Sequence, residues 1–392
     1  MKVENNIIKM YYLKAIQWFM VAMPIIVLFF QEHDLSLTQV MLLQAIYSIV
    51  IVLFEIPSGF IADVFERKKV IFLSTIFSFF GYIIFSFFSG FYYFAIAQIL
   101  VGIGGSLISG SDSSLIYDTL LQLKKNKAYT KIEGKNYAIG NFSESIAAIL
   151  GGYLALTSLS LPIYIQTAVL FFSIPISLTL VEPSVNKKNR VEKSIKSMID
   201  IMKFAVIKNK KIRYLIIYSS IMGFATLSMA WFVQPFLIEI HFYLGYYGIL
   251  WAILNFSAGI TSYNAYKIYE KMKSYNLLIF ISLIMSISFI MLGLNITYLG
   301  LVFIFLIYFI RGIVTPILRN EININIESNK RATVLSIRSL FIRLTFAILA
   351  PILAYISEIN FSLTITFILM GLIIGATVSY THLRAHETYD HL

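Results

Sequence analysis

Glu55, Asp112, Glu144, Arg311, Arg338 and Arg343 each stand inside a long apolar run of this 392-residue sequence. A charge at the centre of a membrane-spanning helix costs about 2.5–3.5 kcal/mol on insertion scales, so each of these side chains requires a partner or a wet cavity. The chemistry open to them is charge compensation. A carboxylate can take up and release a proton as its surroundings change, and a guanidinium can hold an anion. The set divides by sign, with acids in the first half and arginines in the second. Glu144, Asp112, Arg311 and Arg343 are the expected coupling and substrate residues, with Glu144 as proton carrier. Bond-making chemistry lacks its usual groups. The chain has no cysteine, and His33, His241, His382, His386 and His391 all fall in loops or the tail. No enzyme, metal site or organic cofactor is expected, and a proton gradient is the expected energy source.

Such residues need helices that cross a bilayer to position them. The chain is 58% hydrophobic and 13% charged, a balance outside that of ordinary soluble domains. A hydrocarbon core about 30 Å thick takes roughly 20 apolar residues per helix. Apolar runs lie near residues 11–30, 39–61, 70–89, 91–116, 137–157 and 161–181, then near 212–237, 243–266, 277–295, 298–319, 333–356 and 361–379. The expected fold is all-α, with twelve transmembrane helices in two bundles, 1–181 and 212–379, joined by a connector at 182–211. The apolar run after the short polar N-terminus is expected to stay as a spanning helix rather than be cleaved as a signal peptide.

Loop charges set the expected orientation. Lys2 and Lys9, the Arg67-Lys68-Lys69 run, the lysines from Lys124 to Lys135, the connector, Lys267 to Lys273, and Lys330 with Arg331 fall on alternate loops. The intervening loops hold no Lys or Arg, so both termini are expected in the cytoplasm and the chain in the plasma membrane. The net charge of +11 is thereby assigned to the membrane rather than to nucleic acid. Within the connector, Val191, Ile195, Met198, Met202 and Ala205 follow helical spacing, which predicts an amphipathic helix on the inner surface; a flexible charged linker is the alternative.

Between spans two and three, Gly59, Asp63, Arg67, Lys68 and Lys69 keep the spacing of the loop signature of the major facilitator superfamily, and residues 11 to about 379 resemble that family as a whole. Val64 and Glu66 depart from its pattern. Gln98 to Gly105 resembles a span-four motif with its leading Arg replaced. Ala147, Ala148, Gly151 and Gly152, with Gly134 and Ser143 upstream, are similar to an exporter signature lacking its Gly-Pro pair. Gly259 and Lys267 repeat Gly59 and Arg67 in the second half, with Tyr263 at the Asp position.

The resemblance implies two bundles of inverted three-helix units and a secondary transporter working by alternating access. It also implies that Gly59, Asp63, Arg67, Lys68, Glu55 and Arg338 serve the conformational gate, with Glu55 and Arg338 paired about 9 Å from the inner surface. Proton-coupled export of small amphipathic compounds is the expected function. Uptake or exchange of an organic anion is the alternative, and a transporter-like receptor or scaffold is the rival from another class. The expected partners are a small-molecule substrate and the lipid bilayer, with the protein a monomer.

Other residues have plainer expected roles. Lys14 is expected to snorkel to the inner surface, Asp112 to cap or pair at the end of its span or else to take a working role, and Arg319 and Glu321 to sit at the interface. Trp18, Trp231 and Trp251 are expected as belt anchors, with a pocket lining as the alternative. The segment from Ser379 through Arg384 to Thr388 resembles translated sequencing adapter, so the tail 380–392 is expected to add nothing to the fold.

Overall fold

The computed structural model describes residues 2–64, 66–184, 200–272, 274–327 and 330–389, and their side chains outside 56–64, 126, 274–275, 332 and 377–389. All regular structure among the described residues is helical. The first half holds α1 (Asn6–Trp18), α2 (Ile26–Glu32), α3 (Leu37–Val64), α4 (Arg67–Phe87) and α5 (Phe91–Ile108). It continues with α6 (Ser111–Gln122), α7 (Tyr129–Leu154), α8 (Leu161–Phe171) and α9 (Ser173–Leu178). The second half holds α10 (Lys210–Glu239), α11 (Tyr247–Lys271), α12 (Ser274–Leu294), α13 (Gly300–Ile324), α14 (Arg331–Ile359) and α15 (Thr364–Tyr389).

Among the described residues, ten helical segments are long and apolar enough to cross a membrane. The remaining two of the expected twelve are α7, which is long enough but diluted by Asn141, Ser143, Glu144 and Ser145, and the apolar stretch Thr364–Ala376 that opens α15. The protein is an all-α, multi-pass membrane protein.

Several spans differ in detail from the sequence reading. The first is broken, because Pro24 removes a backbone donor and the chain turns between Phe19 and Ala22 before α2. The break frees the Val21 amide, which donates to Gln166 Oε1 of α8 at 2.7 Å, so the buried donor stays satisfied. The fourth splits into α5 and α6 at Gly110, whose φ of +80° favours glycine. The fifth starts at Tyr129 rather than near 137. Lys131, Glu133 and Lys135, read as loop, are therefore helical. The backbone of α15 runs helical to Tyr389, through most of the expected tail. The amphipathic helix expected in the connector falls largely on 185–199, outside the described residues; Phe204–Lys208 forms a π-helical turn.

The chain divides into two units, residues 1–192 with 243–252, and residues 193–242 with 253–392. Residues 243–252, expected in the second bundle, thus cluster with the first unit. Small residues let helices of the first unit approach closely. A Cβ on Gly104 would come 2.9 Å from Ser74 O, and Ser74 Oγ donates to Gly104 O at 2.7 Å, tying α4 to α5. The stripe of Ala147, Ala148, Gly151 and Gly152 on α7 has a packing role: Gly151 abuts the Val21 carbonyl, and Gly248, at the start of α11, abuts the Ala148 carbonyl. In the second unit, Tyr218 of α10 donates to Leu278 O of α12 at 2.8 Å, and Ser286 of α12 donates to Gly371 O of α15 at 2.7 Å. Among the described residues, nothing lies within 4 Å of where a Cβ on Gly259 would stand.

Candidate functional site

The richest polar constellation lies in the first unit, where α1, α6 and α7 meet. Lys14 Nζ pairs with Asp112 Oδ2 at 3.0 Å and sits 5.4 Å from the Trp18 ring centroid. Both partners are largely shielded, with side chains 15% and 13% exposed. Asp112 falls in the first turn of α6 because the chain breaks at Gly110, and its Oδ1 accepts from the Ser113 amide at 2.7 Å. A carboxylate there is favoured by the unpaired amides of the helix start. Ser113 Oγ then donates to Glu133 Oε1 of α7 at 2.6 Å. A continuous chain thus runs from Lys14 through Asp112 and Ser113 to Glu133.

This arrangement corrects the snorkelling expected of Lys14, whose ammonium turns inward to Asp112 because a shielded carboxylate attracts it more strongly than the interface does. Asp112 stands where it was expected to pair. Glu133 was missed because it was read as loop. Its spacing to Asn136, Gly140 and Glu144, in steps of three and four along one helical face, was the available signal.

Further along α7, Glu144 Oε1 accepts from Trp251 Nε1 at 3.3 Å. Trp251 is therefore no belt anchor. It is 5% exposed, and its indole N–H meets a carboxylate, the partner a buried donor needs. Trp18 likewise packs inward, on Gly140 and edge-on to Tyr137 at 6.0 Å.

A second network closes one end of the same unit. Arg67 pairs with Asp118 of α6 and donates to Ser114 O at 2.5 Å. The Lys68 amide donates to Glu182 Oε2 at 3.0 Å, while its ammonium lies 3.4 Å from Glu66. Asn6, fully buried, donates to Thr119 Oγ1 and to Val181 O and accepts from the Val181 amide. Asp118, Glu182 and Asn6 were assigned no site role from sequence. Asp118 shares a helical face with Ser114 and takes Arg67 as its cation, although the basic run beginning at Lys124 is much nearer in the sequence. The side chains of Gly59 and Asp63, central to the loop signature, lie outside the described residues.

Outside the membrane segments, Glu66 has a lowered pKa. Burial pushes it up, but hydrogen bonding and charge from Lys68 and then Lys69 outweigh that.

In the second unit, Arg311 lies 5.4 Å from the Tyr308 ring centroid. Arg338 is 8% exposed and buries its Nε without a hydrogen-bond partner, within electrostatic reach of Arg319. Glu321 was expected at the interface. It is instead 5% exposed and accepts from the Tyr269 hydroxyl at 2.6 Å, because a buried carboxylate needs donors. Arg343 and Glu55 are half-buried. Glu55 and Arg338 belong to different units. No group of three or more His, Asp or Glu side chains that could hold a metal occurs among the described residues.

Comparison with known proteins decides the family. The model of the Major Facilitator Superfamily matches residues 11–326. The chain belongs to the major facilitator superfamily. A curated relative, the uncharacterized MFS-type transporter YxaM of Bacillus subtilis (strain 168), is 28% identical over 242 residues, 60% of this chain and 59% of its own length. This superfamily member thus spans about three fifths of that relative. Its fold is shared with a crystal structure of a mutant nucleoside transporter NupG (TM-score 0.82, 13% identity, 97% of this chain and 99% of that one). It is also shared with a bacterial homolog of the human lysosomal transporter Spinster in an inward-facing, unoccupied conformation (TM-score 0.76, 15% identity, 97% and 96%). At these identities the likeness is one of fold.

Proposed function

We propose that this protein is a secondary active transporter that moves a small organic solute by alternating access, and that it exports amphipathic compounds in exchange for protons. The observation that carries the reading is Glu144. It lies within a spanning helix of the first unit and is held by an indole N–H, so its charge can be traded for a proton without loss of the surrounding packing. The polar residues of α7 support the same reading, since a helix of that kind lines a wet path more readily than it faces lipid. The protein works as a monomer in the plasma membrane with both termini in the cytoplasm, a topology supported by the alternation of basic and uncharged loops.

Uptake or exchange of an organic anion is the second reading, favoured by the buried Arg338 and its neighbour Arg319. Reconstitution into proteoliposomes separates the two. Glu144→Gln should keep solute exchange and lose its response to an imposed pH gradient. Gradient-driven flux that survives the substitution would leave Glu144 a structural residue and the proton-coupled reading without its carrier.

A further inference from the structure

The cluster on α1, α6 and α7 carries one more negative charge than positive. Asp112 is paired with Lys14, and Glu133 is linked to that pair through Ser113. Lys14 is bound to Asp112, and Ser113 supplies one hydrogen bond to Glu133 Oε1, which leaves Glu133 Oε2 buried with no hydrogen-bond partner. A carboxyl oxygen left so, away from water, lacks the cation or donor that would satisfy it.

A second observation points to the same place. Asn136 of α7 is fully buried, and both atoms of its amide group lack a partner. The register of the two helices locates it. Tyr11 OH reaches Ile132 O at 3.5 Å, and the Trp18 ring covers Gly140. Advancing about one turn along each helix therefore brings Lys14 opposite Asn136, between Glu133 and the Trp18 contact. An amide with an unused acceptor and two unused donors thus lies beside a carboxylate with an unused oxygen. Tyr11 and Tyr129 stand within electrostatic reach of Glu133, and Tyr117 meets the Tyr129 ring edge-on at 5.3 Å.

Lys14 shows what chemistry the cluster accepts, because it already holds one primary ammonium between a carboxylate and an aromatic face. We propose that the cluster of Asp112, Ser113, Glu133 and Asn136 is a binding site for a protonated organic amine bearing an aromatic or apolar body, and that Lys14 is the tethered ammonium with which it competes. The amine donates N–H bonds to Glu133 Oε2 and Asn136 Oδ1, and its body lies among the tyrosines. This names the substrate class for the transporter reading above and rests on it for its physiological sense.

Tryptamine is the probe, and tryptophol, its uncharged counterpart, is the control, both measured by calorimetry on the purified protein in detergent. Wild-type protein should bind tryptamine saturably, with tryptophol at least about tenfold weaker, the range of one charge-assisted hydrogen bond. Glu133→Gln should lose about tenfold for tryptamine and little for tryptophol. Lys14→Gln should bind tryptamine as tightly as wild type or tighter, since removal of the resident cation leaves both carboxylates for the ligand. Asn136→Asp, which adds a carboxylate without enlarging the side chain, should tighten binding several-fold and serves if Lys14→Gln does not fold.

The proposal is overturned if the folded variants weaken both compounds alike. It is also overturned if tryptamine does not bind, or if sodium chloride displaces it where the potassium salt does not, since the site would then take an inorganic cation. Binding in micelles needs no gradient. Amine binding without flux in proteoliposomes would sink the transporter reading alone, and flux of other solutes without amine binding would sink this site alone.

Discussion

Replacing Arg67 by Met tests whether the network at the end of the first unit holds α4 against α6. Arg67 and Asp118 are each 9% exposed, and the guanidinium also donates to Ser114 O, so solvent screens the pair little. Two charges about 4 Å apart at an effective dielectric of about 20 attract by about 4 kcal/mol. Losing one member of a buried pair costs about 3–5 kcal/mol, because the other is left uncompensated. The two routes agree, and Arg67→Met should therefore destabilise the protein by about 3–5 kcal/mol. Asp118→Asn should cost less, about 1–3 kcal/mol, because the amide oxygen still accepts from Arg67. The double variant should recover at least about 1 kcal/mol relative to the sum, the coupling expected of residues in contact. Unfolding in mixed micelles of increasing denaturing-detergent fraction gives the free energies. Additive losses, or a cost below about 1 kcal/mol for Arg67→Met, would refute a shielded ion pair at this position.

Gly248→Ala would bring a Cβ against the Ala148 carbonyl, where backbone meets backbone and no side chain can yield. A cost of about 1–3 kcal/mol is expected, while Gly259→Ala, further along the same helix with open space, should be neutral or stabilising; equal effects in thermal melts would disprove the contact. Glu66 has a folded pKa below its unfolded one, so its contribution is present above the ordinary carboxylate range and is lost as pH falls through the folded value. Between about pH 6 and pH 3, wild type should therefore lose slightly more stability than Glu66→Gln, with the difference shrinking in high salt; no difference at low salt would remove the lysine pairing from the account. A cysteine placed at Ser184, in a chain with no background thiols, should resist an impermeant reagent applied outside intact cells. Labelling there would invert the proposed topology.

Composition and charge spacing decided much about this protein. A chain so apolar cannot stay in water, and loops that alternate in Lys and Arg leave few ways to thread a membrane. The all-α membrane class, the span positions to within several residues and the family resemblance all follow from local pattern, because an apolar helix in lipid satisfies its own backbone. The paired state of Asp112 was legible for the same reason, since a charge inside an apolar run implies a partner.

Which partner it takes was decided by tertiary structure. Lys14 and Asp112 are 98 positions apart, Arg67 and Asp118 are 51, and Glu144 and Trp251 are 107. Hydropathy records how deep a residue lies and leaves open which neighbouring helix it faces. The break after Trp18 was also hidden, because the residues around it stay apolar and only the amide freed from the helix reveals it, whereas the break at Gly110 lies in the polar run Ser109 to Ser114. Glu133 was lost through its lysine neighbours. Lys131 and Lys135 give the sequence around it the polarity of a loop, while the packing of α7 on α1 keeps it helical and turns the carboxylate inward. The candidate site was thus readable as an expectation of buried charge, and its membership was set by helix packing, which brings together side chains that no local pattern relates.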